Sequence, residues 1–224
     1  MTNSERFRRF LNFDTTVDRT PVIEWAPWWD LTVKEWWKQG LPQDLEVTDG
    51  INDYFGQDLL HQMALPNRTF NCPGPPSEGA GLMSNEADYE ALLPYLYQDE
   101  TLEFIKNWIQ DYIKQTQGRD PVIWITLEGF FWYPRVLFGI ENHLYAFYDE
   151  PELMHRINRD ACDFYKKVLE VVYSLITPHF MTFAEDMSYN LGPMLSKEQF
   201  YEFVIPYYHE LVPIIKQHGT KPFI

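Results

Sequence analysis

The stretch Pro21-Val22-Ile23-Glu24-Trp25-Ala26-Pro27-Trp28-Trp29 reads as a short strand, with proline at its start, running into a turn that contains no glycine. Beyond it, apolar runs and helical stretches alternate, which is the pattern of βαβ units and a parallel sheet. Two architectures share that pattern, an open doubly wound sheet and a (β/α)8 barrel. The open sheet places a glycine-rich phosphate turn after its first strand. Here tryptophan and proline occupy that turn. The expected fold class is therefore α/β of the (β/α)8 barrel type.

Working outward, Ser4 is placed as the cap of a first helix carrying Phe7, Phe10 and Leu11 inward. After a loop rich in proline and glycine, Phe70 to Gly81, the residues Leu102, Ile105, Trp108, Ile109, Tyr112 and Ile113 form one helical face closed by Gly118. Val122 to Thr126 is a continuous apolar run, as in strands covered on both faces. A longer helix is expected from Asp149, with Pro151 in its first turn and Glu152 at the capping-box position. It leads to a strand, Phe180 to Ala184, and then to a helix that opens at Ser196 and Gln199, kinks at Pro206 and stops at Gly219. The last residues, Thr220 to Ile224, open a strand with no room to run, so the fold is expected to be larger than the 224 residues. No linker, repeat or low-complexity tract divides the chain, and one domain over 1–224 is expected.

The chain is 45% hydrophobic, as in a globular protein with a real core, and no stretch approaches the length of a membrane span. With no hydrophobic signal core at the N-terminus, the expected location is the cytoplasm. Eighteen basic against 33 acidic residues give a net charge of −15, which argues against nucleic acid as a partner. Cys72 and Cys162 stand too far apart for a local zinc motif and read as buried thiols. Aromatic residues, 17% of the chain, bunch at Trp25 to Trp37 and at Phe130 to Tyr133. They serve either as core or as the wall of a flat or cationic ligand.

The order of several segments resembles the uroporphyrinogen decarboxylase superfamily. The segments are Glu5-Arg6-Phe7 with Asp18-Arg19-Thr20-Pro21-Val22, Tyr54-Phe55-Gly56-Gln57-Asp58, Gly139 with Asp149-Glu150-Pro151, and Phe183-Ala184-Glu185-Asp186 with Gly192-Pro193-Met194. The resemblance implies a (β/α)8 barrel of which this chain holds the N-terminal half to two-thirds. It implies either of two activities, cofactor-free decarboxylation of uroporphyrinogen or zinc-assisted methyl transfer between a corrinoid protein and a thiol or related acceptor. The family's zinc ligands would lie beyond Ile224, so no metal ligand is assigned within this chain. The decarboxylase needs arginines at the end of its first strand to hold a polycarboxylate. Ile23-Glu24-Trp25-Ala26-Pro27-Trp28 has none, and Glu24 there would repel such a substrate. Methyl transfer is the preferred reading. Decarboxylation, or a non-catalytic truncated barrel that self-associates, stands as the alternative.

Barrel sites gather at the C-terminal ends of the strands. Glu185 and Asp186 are the expected catalytic residues, and Glu24, Trp25, Trp28, Glu128 and Arg135 the expected small-molecule contacts. Carboxylates at one mouth can bind a cation or act as acid and base, or else cap helices and pair with lysines. Asp58 and His61, three apart, would share a helix face, which is too little for a metal site. His143, His155, His179, His209 and His218 lack ligand spacing and are read as structural or surface residues. Asn67-Arg68-Thr69 matches the glycosylation pattern but carries no weight without a secretory signal.

Overall fold

The computed structural model describes residues 1–224. The more polar Leu60-His61-Gln62-Met63-Ala64 forms strand β1 (Leu60–Ala64), and the apolar runs at Val122 and Phe180 form β2 (Val122–Glu128) and β3 (Phe180–Ala184). A small antiparallel pair follows, β4 (Ser188–Tyr189) and β5 (Gly192–Pro193), and β6 (Lys221–Phe223) comes last. The main sheet has the order β1-β2-β3-β6 with every neighbouring pair parallel, so each strand lies beside the next one of that sheet in the chain. The chain is thus a mixed α/β protein built on a four-stranded parallel sheet.

Helices α1 (Asn3–Leu11), α2 (Asp30–Lys38) and α3 (Asp49–Tyr54) precede β1. Between β1 and β2 lie α4 (Glu86–Leu92) and α5 (Asp99–Gln115). Between β2 and β3 lie α6 (Trp132–Phe138), α7 (Ile140–Asp149) and the 25-residue α8 (Pro151–Leu175). The short α9 (Lys197–Gln199), a π-helical turn (Phe200–Val204) and α10 (Ile205–Gln217) complete the set.

Side-chain alternation gives the sheet two unlike faces. Met63, Ile125, Leu127, Met181 and Phe183 point to one face and are buried in the main core with apolar residues of α5, α8 and α10. The other face carries Gln62, Trp124, Thr126 and Thr182, all half-buried, with Ala64 and Ala184 exposed at its upper end. A polar ladder crosses three strands there. Gln62 Nε2 donates to Thr126 Oγ1 (2.8 Å), Thr126 and Thr182 share a hydroxyl bond (2.9 Å), and Trp124 Nε1 donates to Thr182 Oγ1 (2.8 Å). At the lower end α1 covers this face, where Phe7 stacks on Phe180 (5.5 Å) beside Val122.

Several expected elements hold their places. The helix read from Leu102 to Ile113 lies within α5, Gly118 takes a left-handed φ of 83°, and β3 has the expected limits. Ser196 and Gln199 form a reciprocal capping box. Where a kink at Pro206 is expected, a π turn (Phe200–Val204) precedes α10, and Pro206 stands in the first turn of that helix. Asn158 of α8, fully buried, donates to the carbonyls of Phe203 in the π turn and of Phe130 (both 2.9 Å).

Other expectations are corrected. Pro21 to Trp25 forms no strand and joins no sheet. Its backbone meets the β1 edge through the bond from Asp58 N–H to the Val22 carbonyl (2.7 Å), and Val22, Ile23 and Trp25 are exposed. Thr2, not Ser4, caps α1, because Ser4 instead donates its N–H and hydroxyl to Asp120 just before β2. Asp149 ends α7, and α8 starts after Glu150 with no side-chain cap. Phe10 is exposed rather than inward, and Cys72 is only half-buried whereas Cys162 is fully buried.

Candidate functional site

The expected site residues separate into two places. Glu128, Glu185, Asp186 and Arg135 lie at or beyond the C-terminal ends of β2 and β3. Glu24, Trp25 and Trp28 line a cavity of about 680 Å³ at the starting end of β1, together with the last turns of α5. One mouth holding all seven is not what the chain builds.

At the C-terminal end, Glu185 is 5% exposed and turned inward. Its carboxylate accepts the backbone N–H groups of Phe130 (2.9 Å), Phe131 (2.8 Å) and Trp132 (3.0 Å), together with the Tyr208 hydroxyl. Burial pushes its pKa up, and the four donors offset only part of that rise, so its pKa stays raised. The carboxylate thereby fastens the turn that opens α6 to the end of β3. Asp186, the next residue, is exposed and holds a left-handed φ of 42°, the kind of backbone conformation that recurs at functional turns.

Glu128 is half-buried and accepts from Asn67 Nδ2 (2.9 Å), which also donates to the Tyr165 hydroxyl (3.0 Å). Arg68 approaches the other Glu128 oxygen at 3.8 Å and also lines a cavity of about 510 Å³ with Thr69, Phe70, Cys72 and Val136. Arg135 lies over the Trp132 ring at 5.0 Å. This end of the sheet therefore offers a carboxylate, an amide and a guanidinium within reach of one another, beside a cavity. Such a set can orient a polar small molecule and move a proton.

At the other end, Glu24 accepts its own Trp25 and Ala26 N–H groups (2.9 and 3.1 Å), and Trp28 Nε1 donates to Asn52 Oδ1 (2.8 Å). Asp58 and His61 do not share a helix face. Asp58, 6% exposed, is gripped by Arg19 (2.6 and 2.7 Å) and Arg6 (3.0 Å), while His61 stands on β1 with its ring stacked on Tyr112 at 4.1 Å. The two aromatic bunches also differ. Phe130, Phe131 and Tyr133 are fully buried core, whereas Trp25 and Trp29 are 64% and 77% exposed.

Zinc does not fit the residues of this chain. The one cluster of suitable atoms is Cys162, Asp163 and Glu210, within 4.8 Å of one another on α8 and α10. Arg159 (2.8 Å) and Lys166 (2.7 Å) already neutralise Glu210, and Lys166 also holds Asp163 (2.9 Å). Burial pushes the Cys162 thiol up to about 11, away from the thiolate a metal needs.

Asn67, Arg68, Tyr165 and Tyr208 are not among the expected site residues, and the first two stand out in the sequence only as part of a glycosylation pattern. Those two lie three and four residues past β1, so placing that strand would have marked them as residues of its end loop. The two tyrosines reach the site from helices far along the chain and carry no local signal. The fold and these clusters define a mixed α/β protein with two candidate small-molecule sites. No family model, curated protein or solved structure matches the chain.

Proposed function

We propose that the chain forms part of a (β/α)8 barrel of the uroporphyrinogen decarboxylase superfamily, and that it serves methyl transfer to a thiol or related acceptor rather than decarboxylation of a porphyrinogen. The observation that carries the barrel reading is the asymmetry of the sheet. Helices cover one face of four strands that follow in order, and a hydrogen-bonded polar ladder, Gln62, Thr126 and Thr182, lines the other. In a (β/α)8 barrel the helices pack on the outer face of the sheet, so on this reading the helix-covered apolar face is the outer one and the ladder face the inner one.

Charge favours methyl transfer over porphyrinogen decarboxylation. A substrate bearing several carboxylates needs several free arginines. The guanidiniums near the strand ends are committed, Arg68 towards Glu128 and Arg135 over Trp132. Arg6 and Arg19 are bound to Asp18 and Asp58. On this reading Glu128 and Asn67 bind and orient the polar part of the acceptor, with Arg68 beside Glu128 and Glu185 holding the loop that frames them. Zinc, which in the family lowers the acceptor thiol's pKa, has no ligands in these residues.

The test is a pair of anaerobic assays on the same protein. One follows loss of the methyl group from methylcobalamin in the presence of a small thiol, and the other follows the carboxyl count of uroporphyrinogen. Methyl loss that falls at least tenfold in Glu128→Gln, with the porphyrinogen unchanged, supports the proposal. Porphyrinogen turnover, or methyl loss indifferent to Glu128, rejects it.

A further inference from the structure

The cavity at the starting end of β1 lies away from the strand ends where the proposed chemistry sits, and it has its own character. It exists because the segment carrying Glu24, Trp25 and Trp28 leaves the β1 edge after Val22 instead of pairing with it. Four carboxylates line it, Glu24, Glu46, Asp49 and Asp53, against one guanidinium, Arg119, and no lysine. Arg119 lies 3.6 Å from Asp49 and 3.1 Å from Asp53, so it offsets only part of that charge.

A second, independent feature points to a ligand. Tyr112, only 6% exposed, lines this cavity with a hydroxyl that has no hydrogen-bond partner, and Nε2 of the neighbouring His61 is likewise unpaired. Buried polar atoms are rarely left this way unless something else satisfies them. Burial and the nearby Asp49 hold the phenol in its protonated form, and burial favours neutral His61; the phenol oxygen keeps lone pairs that can accept from an N–H donor.

We infer that this cavity binds an aliphatic di- or triamine, with its ammonium groups shared among Glu24, Asp49 and the Tyr112 hydroxyl and its methylene chain against Trp25 and Trp28. The carboxylates do not converge on a point as ligands of a single metal ion would, and the one such cluster in the molecule lies elsewhere. Charge spread along a cavity of about 680 Å³ matches an elongated polycation. Indole walls suit its methylenes, and their faces attract its ammonium groups. Nothing in this assignment depends on the methyl-transfer reading.

The experiment is a titration with spermidine, read by tryptophan fluorescence and calorimetry at about 0.1 M salt. Saturable one-to-one binding is expected, with butylamine bound at least tenfold more weakly. Asp49→Asn and Glu24→Gln should each weaken spermidine about tenfold, and Tyr112→Phe several-fold. Glu170→Gln removes an exposed carboxylate from α8 and should leave binding unchanged. Circular dichroism confirms that each variant is folded, and Glu24→Gln, whose side chain bonds only to its own turn, decides the matter if Asp49→Asn is not. Absence of saturable binding, or equal losses in Glu170→Gln and Glu24→Gln, overturns the proposal, since the latter means diffuse attraction to an acidic chain. Magnesium binding as tightly as spermidine at the same site overturns it too.

Discussion

The Glu185 carboxylate occupies the space that a Cβ on Gly129 would need, so the residue after β2 must be glycine for the acid after β3 to reach the α6 turn. Gly129→Ala forces the two apart and releases three backbone donors and the Tyr208 hydroxyl. A loss of about 3 kcal/mol or more in urea unfolding is expected. Glu185→Gln keeps the shape but turns an NH2 group towards N–H donors, and should cost about 2–3 kcal/mol in the same measurement.

Asp58 ties the start of β1 to the N-terminal segment through Arg6, Arg19 and the Val22 N–H (2.9 Å). Burial works to raise its pKa, and the Arg19 hydrogen bond, the Val22 N–H and the two guanidinium charges overcome it, leaving the pKa lowered. Asp58→Asn leaves buried Arg6 short of a partner and should destabilise by about 3 kcal/mol. Hydrogen exchange should rise first in the Val22 and Asp58 amides, before the core strands.

Two buried histidines set an acid limit. His143, fully buried among Phe131 and Phe147, is pushed down to about 3 by burial and by the Arg135 charge. His179 is pushed down to about 4 by burial and by Arg8, against Asp120, and its Nδ1 accepts the Ile123 N–H (3.0 Å), a bond that protonation there breaks. Below pH 6.5 the unfolded chain binds protons that the folded chain refuses, so stability falls with falling pH. Each histidine adds up to about 1.4 kcal/mol per pH unit until its folded pKa is reached. Urea midpoints between pH 7 and 4 measure this, and His143→Leu should flatten the slope by about half between pH 6 and 4.5.

Asn158 bridges the Phe203 carbonyl of the π turn to Phe130 beside the Glu185 loop. Asn158→Leu removes the donor for both buried carbonyls and should cost about 2–4 kcal/mol in urea unfolding. If the turn is held by Pro206 alone, the loss will stay below about 1 kcal/mol.

The sequence by itself determined what depends on neighbours along the chain. Apolar runs at Val122 and Phe180, the glycine after α5 and the Ser196 capping box carry their conformations in local sterics and hydrogen bonds, and all stand where their residues placed them. The parallel sheet followed from their alternation. What only tertiary structure decided was where isolated polar groups ended. Glu185 and Asp186 are adjacent and equally acidic in sequence, yet one is buried under four donors and the other faces water. Pro21 to Trp25 has strand composition, but strand formation needs a partner edge, and the Arg6, Arg19 and Asp58 network holds the segment at Val22 and leaves its remainder off β1. The division of seven expected site residues between two ends of the sheet follows from that departure. Such an outcome rests on contacts between residues distant in the chain, which no local pattern encodes.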